Sequence, residues 1–427
     1  MEFKLRRRCL GKLVILDMEL VFHPEPIGRL SYEFARELAN RGHKIIVVAP
    51  FPPNSVISCK EKGLPSSKLV KWEKIDNFFV LRVFPRKSSG KTLVGKIIDH
   101  VLIPFSLTFW SLLAVRRADV VHCPSPPLFL ALGACFVSAL KRVPFVVRVH
   151  DLHPDALVKM NLVKNRLIIG ALEIIEKIIY SFARRIAVIA ETYKSFIISR
   201  GVSSHKVRVI PNWSQTSLNP GSLTSKSSIT SEIESKGKFL ITYGGSLYWA
   251  QDLETVIDAA YLLRDNKDII FLIMGDGPEK QELVERARKL KLENVVFMPF
   301  EPREVYLQMT LASHACIVTL NKNYTSPTLP SKVQEIMGLG KPIIVNAPYN
   351  SEVVKLVKKA SCGLIVEPGN PESFAKAVLK ITKNQGLAEK LGKNGRIFAE
   401  KYFSPKICIG KYEKLLRESL LDDGTLS

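Results

Sequence analysis

The sequence predicts an α/β protein made of two doubly wound parallel-sheet domains facing a cleft. Three observations carry this expectation. The chain has 427 residues, more than one core of ordinary size accommodates. Short apolar runs alternate with helical patterns in both halves. Between the halves, residues 214–237 (SQTSLNPGSLTSKSSITSEIESKG) are rich in Ser, Thr, Gly and Pro and break the pattern.

The elements follow in order. LVILDM (13–18) reads as a strand and HPEPIG (23–28) as a loop. LSYEFARELANRGH (30–43) has Leu30, Phe34 and Leu38 at helical spacing and a stop at Gly42, and KIIVVAP (44–50) is the next strand. ADVVHC (118–123), VPFVVRVH (143–150), RIAVIA (185–190) and VRVIPN (207–212) continue the strands, with PLFLALGACFVSAL (127–140) as a buried helix. Runs apolar throughout, with helices between them, indicate a parallel sheet covered on both faces. After the break the alternation restarts. Strands are expected in KFLITYGGS (238–246), DIIFLIMGDGPE (268–279), NVVFMPF (294–300), HACIVTL (314–320), KPIIVNA (341–347) and GLIVEPG (363–369). Helices are expected in LETVIDAAYLL (253–263), QELVERARKL (281–290), SKVQEIMGLG (331–340), PESFAKAVLKI (371–381) and the 383–422 tail. The expected division is a domain over 1–210, a linker over 211–237, a second domain over 238–400 and a terminal helix within 401–427.

Charge divides the same way. The net charge is +22, and residues 1–210 hold 34 Lys+Arg against 16 Asp+Glu, whereas residues 211–427 hold 28 against 24. A basic first half points to an anionic partner: a phosphorylated substrate, an anionic membrane surface or nucleic acid. No interleaved basic-aromatic motif supports nucleic acid, which ranks last. The seven cysteines include no C-x-x-C pair and their number is odd, which suits reduced thiols rather than a disulfide framework or a zinc site. The apolar run near the N-terminus soon meets Asp17 and Glu19, so no cleaved signal peptide is expected. VLIPFSLTFWSLLAV (101–115) is shorter than the ~20 residues of a spanning helix. It reads either as a core helix or as an interfacial segment, and both readings stay open.

In doubly wound folds ligands sit beyond the carboxyl ends of the strands, so the loops there are the candidates. Gly28 precedes a helix whose N-terminal N–H groups suit an anion. Gly244 and Gly245, followed by Ser246, leave room for a diphosphate after a strand. Gly275 lies in a lone G-x-G, which a tight turn explains equally well. In TLPSKVQEIMGLGKPII (328–344), Ser331 and Gln334 have capping-box spacing. Lys332 then falls in the first helical turn, where the helix dipole disfavours it unless an anion shares the site. Glu335 is placed to accept hydrogen bonds from ribose hydroxyls. In RVHDLHPD (148–155), Asp151 and His150 close a strand and are the candidates for a catalytic base or orienting group. His153 and Asp155 read as loop or cap residues. H-D-x-H also has metal-ligand chemistry, but no second His/Asp cluster is evident, and no metal site is assigned.

Taken together, several stretches resemble the retaining family-4 glycosyltransferases of the GT-B fold, and within them the subgroup building lipid-linked surface polysaccharides. These are HPEPIGRLSYEFARELANRGHKIIVVAPFPP (23–53), DVVHCPSPPLFLALGACFVSAL (119–140), PFVVRVHDLHPDALV (144–158), YGGSLYWAQDLETVIDAA (243–260), MGDGPEKQELVERA (274–287) and LPSKVQEIMGLGKPII (329–344). The resemblance implies two Rossmann-like domains, the second holding a nucleotide-sugar donor and the first an acceptor. It implies Glu335 on the donor ribose, Lys332 on the diphosphate, and Gly28 facing the phosphates across the cleft. It implies no protein nucleophile, the leaving phosphate assisting on the same face of the sugar. It also implies that FSPKICIGKYEKLLRESLL (403–421) crosses back to the first domain. Two departures stand out. Pro327 occupies the place of a second glutamate, and LYWAQ after the Gly-Gly loop lacks the family's Arg and Lys.

The expected function is hexosyl or acetamidohexosyl transfer, with retention, from a nucleotide sugar, UDP-sugar favoured, to a glycan or polyprenyl-phosphate-linked acceptor. The expected location is the cytoplasm, peripheral on the inner face of the membrane. No cofactor is expected. A nucleotide-sugar epimerase of the same architecture is the alternative, and a basic nucleic-acid-binding protein without enzyme activity ranks below it.

Overall fold

The structure is a computed structural model that describes residues 11–22, 28–52, 69–85, 95, 98–159, 163–214, 237–324 and 329–421. The chain divides into two compact units, residues 1–211 with 405–427, and residues 212–404. Much of the expected linker, residues 215–236, lies outside the described residues, as do most of HPEPIG, Cys9, Cys59 and Pro327.

The first unit contains β1 (Val14–Met18), α1 (Arg29–Asn40), β2 (Lys44–Pro50), β3 (Val70–Ile75), β4 (Phe78–Val83), α2 (Ile103–Ala114), β5 (Val120–Ser125), α3 (Leu128–Lys141), β6 (Phe145–Val149), α4 (Arg166–Phe182), β7 (Arg185–Val188), α5 (Glu191–Ser199) and β8 (Val207–Val209). The sheet order is β3-β4-β2-β1-β5-β6-β7-β8. Every pairing is parallel except β3–β4. That hairpin was not anticipated. β3 (VKWEKI) is half-exposed with charges along it, and Asp76, at φ 47, turns the chain into the largely buried β4. An edge strand of this composition carries little apolar periodicity to read.

The connection β1→β2 steps one way along the sheet, whereas β4→β5, β5→β6, β6→β7 and β7→β8 step the other way. Right-handed crossovers therefore put α1 on one face and α2, α3, α4 and α5 on the opposite face.

The second unit contains β9 (Phe239–Gly244), α6 (Leu253–Leu262), β10 (Ile269–Met274), α7 (Lys280–Lys289), β11 (Val295–Met298), α8 (Arg303–Ala312), β12 (Ala315–Thr319), α9 (Lys332–Gly338), β13 (Ile343–Asn346), α10 (Glu352–Ala360), β14 (Gly363–Val366), α11 (Pro371–Thr382) and α12 (Gln385–Tyr402). Its all-parallel order β11-β10-β9-β12-β13-β14 is that of a doubly wound nucleotide-binding fold. Phe271, Ile273, Ile317 and Ile344 on its strands pack against Val256, Phe374 and Val378 on its helices. The expectation of two Rossmann-like α/β domains holds.

The last helix, α13 (Pro405–Glu418), packs on α1 of the first unit. Glu413 bridges Arg41 (3.2 Å) and His43 (3.1 Å), and Tyr412 stands edge-on to Phe34 at 5.4 Å between ring centroids. Cys123, Cys135, Cys316, Cys362 and Cys408 are buried free thiols.

Candidate functional site

In the second unit the strand order reverses between β9 and β12, and the candidates from sequence gather there. β9 ends in Gly244, and Gly245, at φ 147, leads into Ser246. Only 3.1 Å separates the Lys332 Nζ from where a side chain on Gly245 would begin, so this glycine keeps the ammonium beside the bare backbone of the loop. The Lys332 Nζ sits 3.8 Å from the Tyr243 ring centroid and 3.4 Å from Gln251 Oε1. Tyr243 in turn donates to the Ser246 carbonyl at 2.7 Å, tying the loop to the lysine. Lys332 is half-buried and no carboxylate pairs with it among the described residues. Desolvation alone lowers its pKa to about 7.

Glu335, one turn along α9, does not pair with Lys332. It forms a short ion pair with Arg303 of α8. Arg303 is a member of this group that the sequence did not reveal, because the two lie on helices 32 positions apart in the chain. Gly275 has a packing reason of its own. A side chain there would begin 1.8 Å from the Gly245 carbonyl oxygen, so the two turns lie back to back. The expected capping box at Ser331 and Gln334 is not formed. Ser331 already has helical backbone angles (φ −61, ψ −22) and its side chain makes no cap bond.

In the first unit, Gly28 is the N-cap of α1 at φ 102, a left-handed conformation that only glycine adopts without strain. His150 follows β6, and its backbone N–H bonds the Ser125 carbonyl at 2.8 Å. It is half-buried, and burial, then Arg148 and His122, hold its imidazole well below the usual pKa. Asp151 is exposed, yet the surrounding protein raises its carboxyl to about 6 by desolvation. Asp155 is committed elsewhere, to Arg200 at 2.7 Å, and Arg200 also holds the buried Glu176. His153 is held down at about 4, chiefly by burial.

A second His/carboxylate cluster does exist, contrary to the sequence reading. Asp17 pairs in register with His122 on the neighbouring strand, and Glu19 and Arg148 lie on the same face of the sheet. One potential ligand atom from each of Asp17, Glu19 and His122 falls within 4.8 Å of the others. His122 Nδ1 meets Asp17 Oδ1 at 2.7 Å, and Arg148 donates to Glu19 Oε1 at 3.1 Å and to Ser31 Oγ at 3.3 Å. Burial raises Asp17 to about 7 and Glu19 to about 8, and lowers His122 to about 3. Arg148 ties the Glu19 carboxyl to Ser31, so the group reads as a buried polar network joining β1, β5 and β6 to the first turn of α1. Through Ser31 and Arg148 it links the Gly28 end of α1 to the strand that carries His150.

Comparison with known proteins agrees with this architecture. Residues 27–217 match the family described as Glycosyltransferase Family 4, and residues 226–398 match Glycosyl transferases group 1. The chain is 23% identical over 393 residues, 85% of its length and 91% of the relative's, to the putative colanic acid biosynthesis glycosyl transferase WcaI of Escherichia coli K12. It is 24% identical over 346 residues, 79% of its length and 84% of the relative's, to the probable glycosyltransferase WbjE of Pseudomonas aeruginosa. Among solved structures it is similar to Anabaena Alr3699/HepE in complex with UDP and glucose, with a TM-score of 0.67 at 17% identity, covering 95% of this chain and all of that one. The fold is therefore of the GT-B kind.

Proposed function

Taking the chain as a GT-B glycosyltransferase, the assignment its two family matches support, we propose that it moves a hexosyl or acetamidohexosyl group from a UDP-sugar, with retention, to a glycan or polyprenyl-phosphate-linked acceptor. The observation that carries the donor part is the half-buried ammonium of Lys332 beside the Gly244-Gly245-Ser246 turn, at the first turn of α9. A diphosphate placed there meets the lysine and the positive end of the helix dipole, so charge developing on the leaving group is stabilised. In this reading Glu335, which pairs with Arg303, takes the ribose hydroxyls. HepE, of similar fold, was solved with UDP and glucose, which favours a UDP-sugar here. WcaI is described as acting in colanic acid biosynthesis, which favours a surface-polysaccharide acceptor.

On the first unit, Asp151 is the proposed base for the acceptor hydroxyl. It is solvent-accessible, and desolvation raises its carboxyl to about 6, toward the range that suits a base working near pH 7. His150 is the proposed orienting group, and its imidazole stays neutral. In this reading the protein works in the cytoplasm, peripherally on the inner membrane face. Among the described residues no helix is long and apolar enough to cross a membrane. The direct test is thermal stabilisation by UDP-, GDP- and ADP-sugars. UDP-sugars should raise the melting temperature of the native chain and fail to do so in Lys332→Ala and Glu335→Ala. Equal stabilisation in both variants refutes the donor site, and epimerised free nucleotide sugar without transfer supports an epimerase instead.

A further inference from the structure

We propose that the outer surface of α2, α3 and α4 is a docking face for an anionic lipid monolayer, with a basic cavity at its edge that takes a phospholipid headgroup phosphate. This deepens the membrane-linked part of the functional reading and rests on it. Each helix buries one side in the first unit and exposes an apolar stripe on another. On α2 the exposed residues are Phe105, Phe109 and Leu113, spaced by four, and Phe105 is 73% exposed. On α3 they are Phe129, Phe136 and Leu140. On α4 they are Leu167, Ile174, Ile178 and Phe182, and Leu167 is 83% exposed. A solvated helix face is ordinarily polar. Here α3 packs between α2 and α4, so the three stripes form one surface. Apolar patches of this breadth mark interaction sites.

Charge at the edge of this face selects the occupant. The C-terminal ends of the three helices surround a cavity of about 970 Å³ lined by Arg116, Arg117, Lys141, Arg142 and Arg184, with Asp119 as the one acid. Asp119 is occupied by the Val14 backbone N–H at 2.8 Å. Lys141 donates to the Val115 carbonyl and Arg184 to the Leu421 carbonyl. Arg116, Arg117 and Arg142 have no side-chain hydrogen-bond or ion-pair partner among the described residues, so three guanidiniums converge on one cavity uncompensated. Leu140 both ends the exposed stripe of α3 and lines the cavity, so the apolar face and the basic cavity are continuous. A second copy of this basic chain would bring like charge to that edge, whereas anionic headgroups above an acyl layer complement both parts. The cavity lies at the strand ends that Val14, Pro144 and Arg184 mark, the opposite end of the sheet from His150 and Gly28.

The test is co-sedimentation of the full chain with phosphatidylcholine vesicles, with and without phosphatidylglycerol. The native chain should partition strongly onto phosphatidylglycerol vesicles, less at high salt, and weakly onto neutral ones. The combined variant Arg116→Glu/Arg117→Glu/Arg142→Glu should lose about a hundredfold or more in partition onto anionic vesicles. Phe105→Ser/Leu113→Ser/Ile174→Ser should lose binding to both kinds. UDP stabilisation, measured in the same samples, should be unchanged in both variants, so loss of docking is separable from loss of the donor site and from misfolding. The proposal is overturned if the native chain shows no preference for phosphatidylglycerol, or if both variants sediment as the native chain does. It is also overturned if the apolar variant turns a dimer in solution into monomers while vesicle binding persists, which would make the face a contact between copies.

Discussion

The ammonium of Lys332 offers a prediction with a sign and a size. In the free protein desolvation holds its pKa at about 7. A nucleoside diphosphate at the Gly245 turn binds the charged form, so binding pulls the pKa back up and the protein takes up a proton. At about pH 8 only about a tenth of the free lysines are charged, so close to one proton should be taken up per UDP bound. Below pH 7 the lysine is already charged and the uptake vanishes. The UDP dissociation constant should therefore rise about tenfold per pH unit above 7, equivalent to ~1.4 kcal/mol per unit. The assay is isothermal titration calorimetry with UDP between about pH 6.5 and pH 8.5, in buffers of different ionisation enthalpy, which counts protons directly. Lys332→Met should remove both the uptake and the slope, and should weaken binding about ten- to a hundredfold at the acid end, the usual worth of a charge-assisted hydrogen bond. A flat affinity profile in the native protein, or an equal slope in Lys332→Met, refutes the assignment of the diphosphate to this lysine.

Two further predictions concern the first unit. Asp151→Asn should lower turnover by about a hundredfold or more while leaving UDP affinity within about twofold, and the native rate should rise with pH through about 6 as the carboxylate forms. Steady-state kinetics across pH check this, and full activity in the variant removes Asp151 from the mechanism. The buried carboxyls set a stability slope. Asp17 is raised to about 7 from an unfolded value of 3.8, so between those limits the folded state binds the extra proton and stability falls as pH rises. Asp17→Asn lacks this term, so its stability relative to the native protein should grow by about 1 kcal/mol per pH unit from about pH 4 to pH 7 in urea titrations. His122 and Lys332, with depressed pKa values, slope the other way in both proteins, which is why the difference is read. An advantage that shrinks with pH contradicts the account.

The alternation of strands and helices was legible along the chain because each element needs only its own periodicity. β9 (FLITYG) or α1 (RLSYEFARELAN) declares its type within a dozen residues. The places of the Gly244-Gly245 turn, Lys332 and Asp151 at the ends of their elements were legible too, since a doubly wound sheet delivers its loops to one end whatever their detail. The β3–β4 hairpin was missed because an exposed edge strand has no apolar run to announce it. The Ser331 cap does not form because backbone angles, not spacing, decide whether a hydroxyl reaches an N–H. Periodicity alone does not say which side of 101–115 is buried; in the fold α2 buries Ile103 and Leu107 and leaves Phe105 and Phe109 exposed.

What the sequence determined by itself is the class of fold, the order of its elements and the ends of the strands where ligands belong. Those follow from local propensity and from the handedness of the connections. Only the tertiary structure decided that Glu335 answers to Arg303, that Asp17 and Glu19 meet His122 and Arg148, and that three helices turn apolar stripes outward beside a basic cavity. Each depends on registers and packings between residues tens to more than a hundred positions apart, and no periodicity along one segment records which distant strand or helix becomes its neighbour.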